Sequence, residues 1–170
     1  GSKASATIQP FLLLHINIFP DPICSLEDGL HLFSAQESLD GYRTSASSKA
    51  EIVSASKSVK ILEPPEIMIL HLMRFSYGRQ GCTKLHKAVR FPLELLLGRD
   101  LLSSRLSEAR RYELVATITH HGRDPSKGHY TADARHPDGG WLRYDDSSVA
   151  SVPVSKVLHD QAYVLFYKRL

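Results

Sequence analysis

The sequence predicts an α+β fold built around a mainly antiparallel sheet, and three observations carry that expectation. Strand-like segments recur at short intervals through the last third of the chain, over 112–119, 129–134, 141–145, 148–152 and 162–168. Helical patterns are few, short and confined to the early part of the chain. Between the second and third of those strands, Pro137-Asp138-Gly139-Gly140 is a strong turn signal, so consecutive strands can pair antiparallel.

Each element has its own local reason. Residues 7–19 are dense in branched and aliphatic side chains, with Leu12, Leu14, Ile16 and Ile18 alternating, which predicts a strand stopped by Pro20 and Pro22. Ser25 and Asp28 have capping-box spacing and open a short helix in which Leu26, Leu30 and Phe33 recur at helical intervals. Ser34 and Glu37 repeat that start signal and Gly41 supplies a stop, predicting a second small helix. Residues 43–58 are rich in Ser and Thr, as in an exposed connection or edge strands. Alternation over 57–62 predicts another strand. The nearly continuous apolar run 67–75 predicts a strand buried on both faces at the sheet's centre. Gly78 and Gly81 mark a loop before Val89-Arg90-Phe91-Pro92, and the polar stretch 103–111 separates this from the last third.

Composition narrows the class. The chain has 170 residues, 42% hydrophobic and 23% charged, which suits one globular domain with a sizeable core. A net charge of +3, from 21 basic and 18 acidic residues, gives no electrostatic reason to expect nucleic acid. The early apolar run is interrupted by Gln9, Pro10, His15 and Asn17, so neither a signal peptide nor a membrane span is expected. Two cysteines, Cys24 and Cys82, make neither a disulfide framework nor a structural zinc site, which fits a cytoplasmic or nuclear setting. Gly1-Ser2 reads as the scar of a cleaved tag, leaving 3–170 as the domain sequence.

The chemistry concentrates in His120-His121-Gly122, Gly128-His129-Tyr130 and Asp145-Asp146. A general base needs a partner that holds its ring and stabilises its charged form, and a carboxylate on a neighbouring strand can supply this. His129 opens one strand and Asp145 closes the next. A connection centred near Pro137 puts the two opposite each other, whereas a tight two-residue turn at Asp138-Gly139 would put His129 opposite Ser148. A wide connection or a bulge is therefore expected. Gly128 suggests a place where backbone lies close to a substrate, and Gly122 with Pro125 makes the segment before it a turn-rich loop. Two other readings compete: histidines that merely stabilise a turn, and a zinc site from His120, His129 and Asp145. The second lacks His-x-x-x-His or Cys-x-x-Cys spacing.

These blocks resemble a known family. Residues 112–119, His120-His121-Gly122, Gly128-His129-Tyr130-Thr131, Trp141-Leu142-Arg143-Tyr144-Asp145-Asp146 and Ala162-Tyr163-Val164-Leu165-Phe166-Tyr167 resemble the histidine box of ubiquitin-specific proteases. Upstream, Ile69-Leu70-His71-Leu72-Met73-Arg74-Phe75, Lys84-Leu85 and Val89-Arg90-Phe91-Pro92 resemble the block that precedes it. The finer texture, Ala6-Thr7-Ile8-Gln9-Pro10-Phe11 and Gly41-Tyr42, looks closest to the subgroup numbered ten in animals and twenty-four in plants.

The resemblance implies a papain-like cysteine protease fold, described as a hand whose thumb carries the cysteine and whose palm carries the histidine and acid. By matching position His129 is the base and Asp145 its orienting acid, with Asp146 and His120 as candidates to assist. His121, Gly122, Gly128 and Tyr130 are expected along the channel for ubiquitin's Gly-Gly tail, between blocking loops at 76–87 and 121–128. Two departures stand out: Lys127 replaces the first of the family's paired glycines, and no Asn-Thr-Cys-Tyr-like box is present. The nucleophile is thus expected outside this chain, leaving the fragment inactive by itself. Cys24 precedes a helix cap, which favours a thiolate, but Asp21, Glu27 and Asp28 oppose it; Cys82 lies in the first blocking loop. Both read as non-catalytic. No cofactor or metal is expected. The expected partners are ubiquitin and ubiquitinated proteins, with neither nucleic acid nor membrane, and an uncovered thumb-facing surface would favour a dimer. The alternative reading is a half-domain that binds ubiquitin or another protein without turnover.

Overall fold

The computed structural model describes residues 5–43, 52–79, 81–104 and 108–170. The expected tag scar at Gly1-Ser2 and the middle of the polar connection over 43–58 lie outside the described residues. Strand β1 covers only Leu14–Ile16, because residues 5–13 find no partner strand among the described residues and leave Ile8 and Leu12 exposed. Leu14, Ile16 and Ile18 are buried, so the predicted alternation holds over the last part of the segment.

Helix α1 (Leu26–Ser34) begins as its sequence requires. The Ser25 hydroxyl accepts from the Asp28 amide at 3.1 Å, and the Asp28 carboxylate accepts from the Ser25 amide at 3.0 Å. Gly29 lets the helix lie directly on β1, since a Cβ there would stand 2.5 Å from Ile16 Cγ2. The expected second helix does not form. Ser34 spends its hydroxyl on the His31 carbonyl of the turn before it, Ala35 is extended, and Glu37–Arg43 is instead strand β2, paired with β3 (Ile52–Lys57) in a separate antiparallel ribbon. Nor does 57–62 continue as a strand: Ile61 makes only an isolated parallel bridge to Leu102.

Strand β4 (Ile67–Leu72) stops before Arg74, whose buried guanidinium donates to the carbonyls of Ala162, Leu85 and Lys87. Strands β5 (Phe75–Gly78) and β6 (Gly81–Lys84) then form a hairpin, and β7 (Glu94–Leu96) is a short strand without a sequence signal. The last third follows the reading closely: β8 (Arg111–His121), β9 (His129–Arg135), β10 (Trp141–Asp145), β11 (Ser148–Val152) and β12 (Ala162–Arg169). Helix α2 (Val154–His159) intervenes, correcting the expectation that all helices come early.

The main sheet runs β1-β4-β12-β8-β9-β10-β11, with β7 also on β8, and all its pairs are antiparallel except β1 with β4. The α+β class is as expected, but β4 lies next to an edge rather than at the centre. Its burial alternates, so it is covered on one face only. Met68, Leu70, Leu72, Tyr112, Leu114, Leu165 and Tyr167 join α1 in the core on that face. On the other face one cross-strand row, His71, Val164, Ile118, Ala132, Tyr144 and Val149, runs across six strands as a partly exposed, largely apolar surface.

Candidate active site

Strand alternation divides the histidine cluster. In the β8–β9 register His120 faces Tyr130 and His121 faces His129. Successive side chains of a strand point to opposite faces, so His121 and His129 share one face while His120 and Tyr130 share the other. The seven-residue loop 122–128 that joins them is pinched at its neck. A Cβ on Gly122, at φ +116, would stand 2.7 Å from the Lys127 carbonyl oxygen; one on Gly128, at φ +149, would stand 2.0 Å from the His121 oxygen. Gly128 therefore answers to the chain's own backbone, a need that does not involve a substrate.

Lys84 closes the neck from outside, its ammonium donating to the carbonyls of His120 at 2.7 Å and Gly122 at 2.8 Å. His86 Nε2 lies 3.2 Å from the Arg123 oxygen. Both contacts join the β5–β6 arm to the loop.

His129 and Asp145 do come together, by a different route from the direct opposition expected. The connection is tighter than the wide one expected: the His136 amide donates to the Gly140 carbonyl at 2.7 Å and the Gly139 amide to the His136 carbonyl at 2.9 Å, which leaves a three-residue turn over 137–139 with Gly139 at φ 92 and sets Tyr144 opposite Ala132. One further step sets Asp145 beside Thr131, two residues from His129 on the same face. From there the carboxylate crosses the diagonal, and Asp145 Oδ1 lies 3.5 Å from His129 Nε2. Both side chains are about half exposed, at 45% and 52%. With Nε2 facing the acid, Nδ1 is the nitrogen left for proton transfer.

Side chains around the pair are more constrained. The His121 ring stacks on His129 with centroids 4.9 Å apart and planes 23° apart, and its Nε2 lies 2.7 Å from Thr131 Oγ1. Burial pushes the His121 pKa down, the charge of His129 adds to this, and Asp160 and Asp145 offset part of it. Beneath, Arg143 grips buried Asp133 with two bonds of 2.8 and 2.7 Å and reaches Asp160, which Lys156 also holds. Those bonds tie β9 and β10 to the end of α2. Asp146 sits at φ 50 in the two-residue turn between β10 and β11, exposed to solvent.

His120 is buried on the far face, in edge contacts with Phe75 and Tyr130, and its Nδ1 has no hydrogen-bond partner among the described residues. Burial first, and the charge of Lys84 second, hold its pKa below the ordinary value. It lies on the opposite face of the sheet from His129, and the trio His120, His129 and Asp145 does not converge on one point. Among the described residues no group of three His, Cys, Asp or Glu side chains is placed to hold a metal. Cys24 contacts Asp21 and Asp28, Cys82 lies opposite Tyr77 on the hairpin, and both are free thiols. Sequence reasoning missed the support given by His121, Thr131 and Arg143. The two-residue spacing of His129, Thr131 and Asp133 was a readable sign that they share a face.

With this geometry in hand, comparison with known proteins adds the lineage. The family model described as ubiquitin carboxyl-terminal hydrolase matches residues 13–167. Ubiquitin carboxyl-terminal hydrolase 24 of Arabidopsis thaliana is 65% identical over the whole chain, which covers 31% of that protein. Ubiquitin hydrolase B of Dictyostelium discoideum is 42% identical over 99% of the chain and 36% of its own length, and ubiquitin carboxyl-terminal hydrolase 10 of Rattus norvegicus is 37% identical over 100% and 22%. The chain thus spans about a fifth to a third of the curated relatives it matches. Among solved structures, the SAGA DUB module containing Ubp8 and bound to monoubiquitin has a TM-score of 0.86 at 30% identity, covering 98% of this chain and 37% of that one. The same module bound to ubiquitin aldehyde has a TM-score of 0.84 at 29% identity, covering 96% and 37%.

Proposed function

The chain belongs to the ubiquitin carboxyl-terminal hydrolase family, and from that premise we propose that it forms the histidine-bearing part of a cysteine protease that hydrolyses peptide or isopeptide bonds after the C-terminal glycine of ubiquitin. One observation carries the reading: an imidazole and a carboxylate 3.5 Å apart, half exposed on the same sheet face, with the Nδ1 side of the ring left for a thiol. Cys24 contacts Asp21 and Asp28 and Cys82 lies opposite Tyr77, neither against that ring, so we assign the nucleophile to sequence outside this chain. Alone, the 170 residues are expected to lack turnover.

In the proposed reaction the thiolate attacks the glycine carbonyl. His129, as imidazolium, gives its proton to the departing lysine amine while Asp145 holds the ring and stabilises its charge. Water deprotonated by His129 then releases the thioester. The loop 122–128 and the hairpin arm over 76–87 flank the tail, with Gly122, Gly128 and Tyr130 near it, while His121 lies on the opposite face from Tyr130, against His129. The partly exposed apolar row across the sheet supports contact with ubiquitin's body, and two free thiols support a cytoplasmic or nuclear setting. An uncovered thumb-facing surface supports pairing of two copies when this chain stands alone; sedimentation equilibrium tests it.

The deciding experiment is hydrolysis of a fluorogenic ubiquitin reporter by the complete protein and its His129→Ala variant. Abolished turnover is expected, and a near-normal rate in the variant refutes the assignment. With Cys24 beside Asp21 and Asp28 and Cys82 opposite Tyr77, a second reading is ubiquitin binding without catalysis. A ubiquitin-based electrophile separates the two, because only a protease is labelled by it.

A further inference from the structure

We propose that His121 is the positioning residue for His129, its ring fixing the plane of the catalytic imidazole by stacking while Thr131 fixes the plane of His121. The proposal rests on the reading of His129 as general base and goes beyond it by assigning what orients that base besides Asp145.

His129 is loosely held by its acid alone. Its side chain is 52% exposed, and among the described residues its one polar side-chain contact is the ion pair of 3.5 Å to Asp145, at the outer limit of a hydrogen bond. A single long contact leaves a ring free to turn about χ1 and χ2. Directly across the β8–β9 ladder, His121 supplies the second constraint, with centroids at 4.9 Å and planes at 23°. The stacked ring is itself held, because its Nε2 lies 2.7 Å from Thr131 Oγ1 and the Thr131 side chain is buried. Thr131 sits two residues from His129 on the same strand and face. A closed path therefore runs from the catalytic ring through the stack to His121, through the hydroxyl to Thr131, and back along two residues of β9.

Charge is consistent with the role. A stacked partner that became cationic would repel the imidazolium that catalysis requires, and burial keeps His121 from doing so. Its surroundings are mixed: Arg143 and His129 disfavour a proton on it, while Asp145 and Asp160 favour one. His120, though adjacent in sequence, cannot serve because it projects from the other face.

The experiment uses the complete protease and the ubiquitin reporter. Loss of ring placement acts on chemistry, so His121→Ala is expected to lower kcat by about tenfold to a hundredfold with KM within about twofold. His121→Phe, which keeps a flat ring without the hydrogen bond, is expected to recover kcat to within about threefold of wild type, and Thr131→Val to fall between the two. In proton NMR the downfield resonance of His129 Nε2–H against Asp145 should be present in wild type and His121→Phe and lost in His121→Ala. A folded His121→Ala with unchanged kcat overturns the proposal, as does His121→Phe no better than Ala. If His121→Ala does not fold, Thr131→Val decides, and wild-type kcat there overturns it. Turnover surviving in His129→Ala sinks the underlying reading, whereas dead His129→Ala beside fully active His121→Ala sinks only this one.

Discussion

Asp145 reaches His129 across a diagonal of the sheet, from the position beside Thr131, and closes to 3.5 Å without being its cross-strand neighbour. The reach depends on the carboxylate alone, since no backbone hydrogen bond joins the two residues. In the complete protease Asp145→Ala should therefore lower kcat by on the order of a hundredfold, the lower part of the range for general acid–base catalysis. Reporter kinetics with kcat equal to wild type would remove Asp145 from the mechanism.

Two glycines with positive φ provide an internal contrast. A Cβ at Gly128 would collide with the His121 carbonyl oxygen, whereas one at Gly139 meets nothing within 4 Å. Gly139→Ala is expected to cost about 1 kcal/mol from backbone strain alone, and Gly128→Ala about 2–3 kcal/mol or more. Urea denaturation of the two variants checks the order, and equal costs would mean that the neck of loop 122–128 is not tightly closed.

Arg143 is the tie between strands and helix. Replacing it with Met leaves the Asp133 carboxylate, 2% exposed, without its bidentate partner. Breaking a buried pair from one side typically costs 3–5 kcal/mol, and Arg143→Met is expected to lose about 3 kcal/mol in chemical denaturation. A loss below about 1 kcal/mol would show that water reaches Asp133 freely.

Acid should destabilise the fold in two separate windows. Burial lowers the pKa of His71, His120 and His121 from the ordinary imidazole value of 6.5, with neighbouring charges adding to each. The unfolded chain takes up protons near 6.5 while these three side chains resist, so the proton difference favours unfolding as pH falls. Their contribution is fully present above 6.5 and is lost below it, down to their folded values. His15 and His71, whose Nδ1 atoms lie 2.7 Å apart, cannot both carry a proton there. Asp160 acts lower: burial alone would raise it, but bonds from Lys156 and Arg143 outweigh this, so its contribution is lost only below the ordinary 3.8. Stability measured from pH 7 to 5 should drop, and a His71→Phe/His120→Phe double variant should flatten that drop; an unchanged slope would count against buried neutral histidines.

The last third of the chain was legible because its strands are uninterrupted and its turns are chemically explicit. Trp141–Asp145 and Ser148–Val152 appear with the ends that alternation predicts. The early region was harder because local signals compete with tertiary partners. Ser34 and Glu37 have the spacing of a helix start, yet β3 offers Glu37–Arg43 a ladder and the hydroxyl of Ser34 is already engaged. Alternation over 57–62 found no strand to pair with beyond one bridge. In the site, His129 and Asp145 could be paired by reading strand ends, but their register could not, because sequence does not fix how many residues of a connection such as 136–140 join the ladder. The stack of His121 on His129 was hidden for the same reason.

The side-by-side histidines of β8 have a consequence for what change this region can absorb. Because 120 and 121, like 129 and 130, point to opposite sides of one sheet, inserting or deleting a single residue within β9 would turn His129 to the face that now carries Tyr130, and a change within β8 would turn His121 to the face that now carries His120. Added residues are best accommodated between Gly122 and Gly128, a segment that begins and ends at the pinch and can grow outward without moving either strand. The sheet thus acts as a parity check on the reading frame of its own chemistry: residues added in the loop leave it intact, and a single residue added in either strand does not.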